Sequence, residues 1–566
     1  MLAGGLNSMH FWDVGRFVVR FRAGVALAAL AATMSTGANA QDSAGQPSIT
    51  TAPAKFLVAA FDVTGVTILE SAAIERAVYP FLGPDRSFDD VEAARKAVQD
   101  AYAAKGYESV QVDIPPQPGD IFAEGVVQLR VTEAPVGEVR IAGAKYHSND
   151  LVRRQMAALE PGKPLNLKTL QADLSDANRF PDRTIIPSFK SGKIPGTVDV
   201  ELKVKDSLPL HGSIEINNDH SPSTEPLRVT ASLRYTNLWQ RGHTISASYI
   251  VAPQNRKQTE VISGAYNAPL LGTPWTMVLY GYKSNSNIAA LGGSNVLGNG
   301  YQIGMRAMYR LPAEKTYQSL SFGIDYKNFN QNIFVAGQQA SMAPIEYAPL
   351  SVGYSLSAAD DNETFDLTLG ATLGLRIFKK FRCFNTDPNV LPADCPLFDQ
   401  FKNKDLDASE NFAHFNLDLN YTRVLPKDFI GAIRVSAQLA DSHLVTNEQF
   451  AAGGLTSVRG YFQSEAVGDE GISSSFELRS PSLAPYLPAF VGELRLFGFA
   501  DLGRVRIKRV LPDQQSYFDL AGVGGGVRVR LFDRISGEFS VGVPLINGPS
   551  TPRGDLRSLF SAKGEF

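Results

Sequence analysis

The chain alternates along most of its length. Leu227, Val229, Ala231, Leu233 and Tyr235 are apolar and interleave with Arg228, Thr230, Ser232 and Arg234. The same period returns at Ile245, Ala247, Tyr249 and Val251 against Thr244, Ser246 and Ser248. It returns again at Phe415, Leu417, Leu419 and Tyr421 against Asn416, Asp418, Asn420 and Thr422. A period of two with one apolar and one polar face marks a half-buried strand. The texture fills residues 207–566 without a helical break. At roughly 20–24 residues per strand and connection, that length predicts about 16 antiparallel strands. A soluble sandwich is the competing reading, and the unbroken run argues against it. No segment after the N-terminal region has the roughly 18 consecutive apolar residues of a spanning helix. A spanning structure here must therefore be a closed barrel, because open strands leave backbone groups unsatisfied in lipid. Arginine on the lipid face costs roughly 2–4 kcal/mol at mid-depth. Arg228 and Arg234 are therefore expected to face a wet lumen, which a sixteen-strand closure provides.

The preceding stretch follows another rhythm. Phe56 to Val63 reads as a strand, Glu70 to Val78 as a short helix, and Asp89 to Lys105 as a longer one. The longer helix carries Val91, Ala94, Val98 and Tyr102 at helical spacing and ends at Gly106. Val110 to Ile114 and Val126 to Val131 follow as strands. The β-α-α-β-β order then repeats: strand Val136 to Ile141, helices Ser148 to Leu159 and Asn166 to Asn178, strands Thr184 to Phe189 and Thr197 to Val204. Two such units in succession are an internal repeat.

The N-terminus adds a compartment. Arg16, Arg20 and Arg22 precede an apolar stretch from Ala23 to Met34, and Ala38-Asn39-Ala40 fits a cleavage site. An uncleaved anchor is the alternative, but the apolar run is short of the roughly 20 residues a span needs. Residues 1–40 are read as a signal peptide and 41–54 as a linker. Cys383 and Cys395 are the only cysteines. They read as a short-loop disulfide of an oxidising compartment, with free thiols or a metal pair as alternatives. The seven histidines are scattered, and no metal site or cofactor is expected. A net charge of −3 supplies no basic field for nucleic acid. There is no phosphate-binding Gly-x-x-x-x-Gly-Lys-Ser/Thr, no Gly-x-Ser-x-Gly and no His-Glu-x-x-His, so an enzyme is not expected. Gly524-Gly525-Gly526 lies among strands and opens no helix.

The sharpest motif is Gly453-Gly454-Leu455-Thr456-Ser457-Val458-Arg459-Gly460-Tyr461, followed by Gly468-Asp469-Glu470-Gly471. About forty residues on, Phe499-Ala500-Asp501-Leu502-Gly503 lies in a strand-like run. The Val-Arg-Gly-Tyr loop and the Phe-x-Asp-x-Gly strand resemble the barrel signatures of the superfamily that joins POTRA (polypeptide-transport-associated) domains to a barrel. With two POTRA-like units and Phe476-Glu477-Leu478-Arg479 after the loop, the chain resembles the haemolysin secretion/activation family ShlB/FhaC/HecB more than the assembly factors BamA or TamA. The resemblance covers nearly the whole mature chain. It implies a membrane all-β fold: POTRA 1 at 55–133, POTRA 2 at 134–206 and a transmembrane β-barrel at 207–566, with the POTRA domains in the periplasm of a bacterial outer membrane.

The resemblance further implies that the loop bearing Val458, Arg459, Gly460 and Tyr461 folds into the lumen. Arg459 would pair with Asp501, flanked by Phe499 and Gly503 on the barrel wall, with Glu477 as a competing partner. Some members carry an N-terminal plug helix; 41–55 is too short and patternless to supply one, so the loop alone is expected to close the channel. The client would be a secreted haemolysin- or adhesin-like exoprotein. It would bind by strand addition at edges such as Val110 to Val112 and Thr184 to Ile186, then pass lumen arginines such as Arg528 and Arg530. The other partners are outer-membrane lipid and the barrel assembly machinery that inserts the chain through its final strand ending in Phe566. An assembly factor or a passive porin is the alternative.

Overall fold

Residues 56–206 form two successive α+β units in the computed structural model, which describes residues 55–117, 124–178, 182–222, 224–291, 294–313, 316–335, 338–375, 399–404, 407–510 and 515–566. In the first unit Ala60–Thr64 runs parallel to Val126–Thr132, and Gln111–Asp113 pairs antiparallel with that strand's other side. Helices Ser71–Val78 and Phe88–Ala104 pack Ile74, Val98 and Tyr102 against Val112, Leu129 and Val131. The second unit repeats this topology. Val136–Ala142 runs parallel to Val198–Asp206, Arg183–Ser191 is antiparallel to it, and Val152 and Leu170 cover Ile185, Val200 and Leu202.

The repeat extends to single residues. Gly65 and Gly143 turn the chain after each first strand with φ of +82° and +90°. A Cβ there would stand 2.2 Å from the Val131 oxygen and 2.4 Å from the Val204 oxygen, so both turns need glycine. A carboxylate then caps each turn. Glu133 accepts from the N–H of Thr67 (2.9 Å) and Ile68 (3.0 Å); Asp206 accepts from Lys145 (2.7 Å), Tyr146 (2.6 Å) and His147 (3.0 Å). Burial pushes both carboxyls up, but these donors, with the Thr67 and Tyr102 hydroxyls at Glu133 and the His147 ring at Asp206, hold each below the usual carboxylate range.

Helix Phe88–Ala104 shows how the local code works. Ser87 and Asp90 form a capping box, with Ser87 N–H donating to Asp90 Oδ2 at 2.7 Å. Val91, Ala94, Val98 and Tyr102 are buried, and Gly106 closes the helix at φ +90°. The next unit docks on this end: Leu167 N–H donates to the Gly106 oxygen (2.9 Å) and Asn166 Nδ2 to that of Lys105 (3.1 Å).

Two expectations need correction. The strand over Phe56 to Val63 is two strands: Phe56–Val58 pairs with Gly83–Arg86 in a sheet of its own, and Ala60–Thr64 joins the main sheet. The helix over Ser148 to Leu159 stops at Arg154 and resumes as a single turn, Ala157–Leu159. Met156 leaves the helical region (φ −112°, ψ 62°), and Asp173 Oδ2 captures the Ala158 N–H at 2.9 Å.

From Leu210 to Glu565 the strands close into a barrel of sixteen wall positions, all neighbours antiparallel. One position is broken. Gln338–Tyr347 and Leu350–Ala359 both pair with Thr316–Val335, at different heights, on either side of Ala348-Pro349. Proline donates no ladder bond, so the wall strand is interrupted there. The last strand, Arg557–Glu565, pairs with Leu210–Asn217 and completes the ring. The alternation sorts the faces. Leu233, Ile245, Ile262 and Leu279 are 47–54% exposed on the outside. Ser232, Arg234, Ser246 and Ser263 line a lumen cavity of about 550 Å³. Arg228 is buried, with Nη2 donating to Thr224 Oγ1 at 2.9 Å.

Most connections at one end of the barrel are short turns, that between Arg479 and Val491 being longer, and the long connections otherwise lie at the other end. The second α+β unit docks on the short-turn end. Gln240, in the turn before His243–Val251, accepts from Ser148 N–H (2.9 Å) and donates to the Tyr146 oxygen (3.0 Å), and Asn237 Nδ2 donates to that same oxygen (3.1 Å). Exposed Trp239, Tyr486 and Phe532 lie in these turns, the placement of an interfacial aromatic belt.

Candidate functional site

The connection between wall strands Phe429–Ala440 and Glu470–Arg479 packs against the inner wall. Phe450–Ala452 and Ala466–Gly468 pair as a short ribbon, and the tip from Gly453 to Glu465 carries the motif. Gly453, Gly454 and Gly460 have φ of +114°, +97° and +96°, which side chains rarely adopt. These bends place Arg459 against the wall. Its Nε donates to Asp501 Oδ2 (2.7 Å), its Nη2 to Asp501 Oδ1 (2.9 Å) and Ser475 Oγ (2.9 Å), and its Nη1 to Glu477 Oε2 (2.6 Å). The backbone N–H of Arg459 adds a bond to Asp501 Oδ2 at 3.0 Å. The guanidinium lies 3.7 Å from the centre of the Phe499 ring. Asp501 is fully buried, and leaving either charge alone there would cost on the order of 3–5 kcal/mol.

Register explains why these side chains meet. Ser475 is opposite Asp501 and Glu477 opposite Phe499, so both flank the carboxylate on the same inner face. Gly503 clears space for Val458, whose Cγ2 would stand 2.9 Å from a Cβ there. Gly522 faces the Arg459 oxygen, 2.0 Å from a hypothetical Cβ, and Gly542 faces the Gly460 nitrogen at 2.7 Å. The glycine-rich wall is thus a bed for the loop backbone. Tyr461 is buried and bonds the Ile546 oxygen (2.8 Å). Glu477 is shared: Arg528 Nη1 (2.6 Å) and Arg479 Nε (2.8 Å) bind its other oxygen.

The family described as haemolysin secretion/activation protein ShlB/FhaC/HecB matches residues 196–529, more than half of the chain. The chain belongs to this family. A POTRA domain of ShlB type matches residues 56–134. The outer membrane transporter CdiB of Escherichia coli O6:K15:H31 is 23% identical over 511 residues, covering 87% of this chain and 79% of the relative. The heme/hemopexin transporter protein HuxB of Haemophilus influenzae is 22% identical over 421 residues, covering 72% and 68%. Among solved structures, CdiB from Escherichia coli aligns at a TM-score of 0.65 with 20% identity over 92% of this chain and 93% of that one. CdiB from Acinetobacter baumannii aligns at 0.61 with 15% identity over 91% and 90%. The protein is an outer-membrane two-partner secretion transporter with its N-terminal POTRA region in the periplasm, and its partner is a secreted exoprotein.

Other singled-out residues of this ShlB-type transporter fall in varied places. Arg528 does not stand free in the lumen; besides Glu477 it binds Glu538 (2.7 Å). Arg530 is half-exposed, 3.9 Å from Glu493. Val110 precedes the strand Gln111–Asp113, and the side chains of Val110 and Val112 are core. Gln111–Asp113 and Arg183–Ser191 are both edge strands. Thr184 and Ile186 are exposed, but the edge between them is capped, since Asn178 bonds both the N–H (2.7 Å) and the oxygen (3.0 Å) of Ile185. Pro187 has no N–H to offer, so the accessible edge lies toward Phe189 and Ser191. Cys383, Cys395 and residues 1–54 lie outside the described residues.

Sequence reasoning passed over two clusters. Asp469 is fully buried at the base of the loop and accepts from Leu444 N–H (2.8 Å), Lys508 N–H (2.7 Å) and the His443 ring (2.9 Å). Glu448, also buried, sits among Lys327, Tyr347 and His414. Gly468-Asp469-Glu470-Gly471 pointed to the first; nothing local marks the second.

Proposed function

We propose that two POTRA domains, the second formed by residues 134–206, capture an extended N-terminal segment of an unfolded haemolysin- or adhesin-like exoprotein and pass it into the lumen. The loop at 441–469 is the movable closure of that path, and Arg459 is its lock. The observation that carries this reading is the loop itself. It packs against the inner wall of a closed barrel, and ion pairs and hydrogen bonds hold its tip. Such bonds can be exchanged for water or for client, which suits a contact that opens and recloses.

Edge strands accept the client by backbone pairing, at Gln111–Asp113 in the first unit and beyond Pro187 in the second. The activity is transport without a catalytic step, and folding of the client outside the cell draws it through. The apolar wall takes outer-membrane lipid, and the final strand is the part read by the barrel assembly machinery.

The test compares export of a large β-rich exoprotein in cells carrying the wild type or Arg459→Ala at equal outer-membrane levels. Export should fall about ten-fold or more, because Asp501 is left buried without its partner and the loop is not reseated between rounds of transport. Normal export by the variant removes the lock. Accumulation of many misassembled barrels, with export intact, makes the chain an assembly factor.

A further inference from the structure

Among the described residues, ion pairs fasten the loop at 441–469 to the wall strands at two places, and Arg459 accounts for one of them. The other is Glu448, at the end of the turn Thr446–Glu448 that leads into the ribbon. Its side chain is 4% exposed. Lys327 Nζ stands 2.6 Å from Oε1, the Tyr347 hydroxyl donates to the same oxygen, and His414 Nε2 faces Oε2 at 3.3 Å. The three partners come from three wall strands, Thr316–Val335, Gln338–Tyr347 and Phe412–Leu425. Just before the turn, Leu444 and Val445 are buried among Phe329, Ile345, Phe401 and Phe412.

The two fastenings sit on different wall strands, the nearest of which, those bearing His414 and Glu477, are two positions apart. With the broken strand taken as one position, the strand bearing Lys327 lies six wall positions from the strand bearing Asp501. The loop therefore braces the lumen between two sectors of the wall. Freeing Arg459 from Asp501 lets the tip move, but the approach to the ribbon stays pinned at Glu448. Apolar side chains in place of the whole cluster could be neutral for stability, whereas a buried carboxylate with three polar partners has a specific geometry to satisfy.

We propose that Glu448 is a second anchor of the gating loop, a positioning residue held by Lys327, Tyr347 and His414, and that the lumen opens fully only when both anchors release. This rests on the reading of the loop as a movable closure.

The test is ion conductance of the full-length transporter in planar bilayers, with heat-modifiable mobility as the check that each barrel has assembled. Arg459→Ala and Glu448→Gln should each raise open probability by less than about three-fold. The double variant should exceed the product of the two by about ten-fold, since coupled sites are not additive. Lys327→Met changes the wall instead of the loop and should reproduce Glu448→Gln; it also serves if Glu448→Gln does not assemble. A double variant that conducts no more than Arg459→Ala alone overturns the second anchor and leaves the movable loop standing. Wild-type conductance in all of the variants overturns the movable loop itself, and the second anchor with it.

Discussion

At the scale of residues, the lock is a knot of shared ion pairs. Arg459 meets Asp501 and Glu477, and Glu477 is also bound by Arg479 and Arg528. Removal of Arg459 therefore leaves Glu477 paired and Asp501 orphaned. Reversing both charges, Arg459→Asp with Asp501→Arg, should restore more secretion than the product of the two single reversals; an outcome equal to that product means the two are not coupled. Lysine should not replace Arg459, because one ammonium cannot serve Asp501, Ser475 and Glu477 at their present geometry. The turn caps give a second residue-scale expectation. Glu133 is held below the usual carboxylate range, so its contribution is complete above its unfolded pKa, about 4.3, and fades as pH falls through the lower folded value. Glu133→Gln should cost about 1.5–3 kcal/mol near neutral pH and flatten the acid side of the stability profile. Hydrogen exchange in helix Phe88–Ala104, corrected for intrinsic rate, measures both; an unchanged acid slope contradicts the assignment. Gly453, Gly454 and Gly460 make Arg459 visible in sequence, because tight turns constrain residue types locally, whereas Asp501 lies within strand Val491–Arg506 and is visible only through the family resemblance. Lys327 and Glu448 are 121 positions apart and meet only through barrel register, which no local pattern shows.

At the scale of elements, spacing decides what is legible. Val91, Ala94, Val98 and Tyr102 mark one helix face, and Ser87 with Gly106 marks its ends. The strand Gly83–Arg86 has sequence Gly-Pro-Asp-Arg and no alternation, so nothing announces it. The break after Arg154 depends on Asp173, on the following helix, capturing the Ala158 N–H, a tertiary contact. The glycine bed of the loop belongs to this scale too. Gly522→Val should push the loop off the wall with Arg459 intact and raise conductance, because even a Cβ would stand 2.0 Å from the Arg459 oxygen. Gly264→Ala meets nothing nearer than 3.5 Å and should conduct as the wild type does. Equal behaviour of the two variants contradicts the role given to the bed.

At the scale of the whole molecule, the alternating period gives a closed barrel and an approximate strand number, since lipid permits no open edge. The broken wall strand at Pro349 and the cross-braced loop are not visible in that period, because both depend on which strands become neighbours. The central claim is that the loop must leave its seat for a client to pass. Val458→Cys with Gly503→Cys, in a chain with Cys383 and Cys395 replaced by serine, tests it most directly. A Cβ at Gly503 stands 2.9 Å from Val458 Cγ2, a spacing that suits a disulfide between the two positions. Oxidation should stop export of the exoprotein, and reduction should restore it. Export that continues while the cross-link is complete contradicts the account.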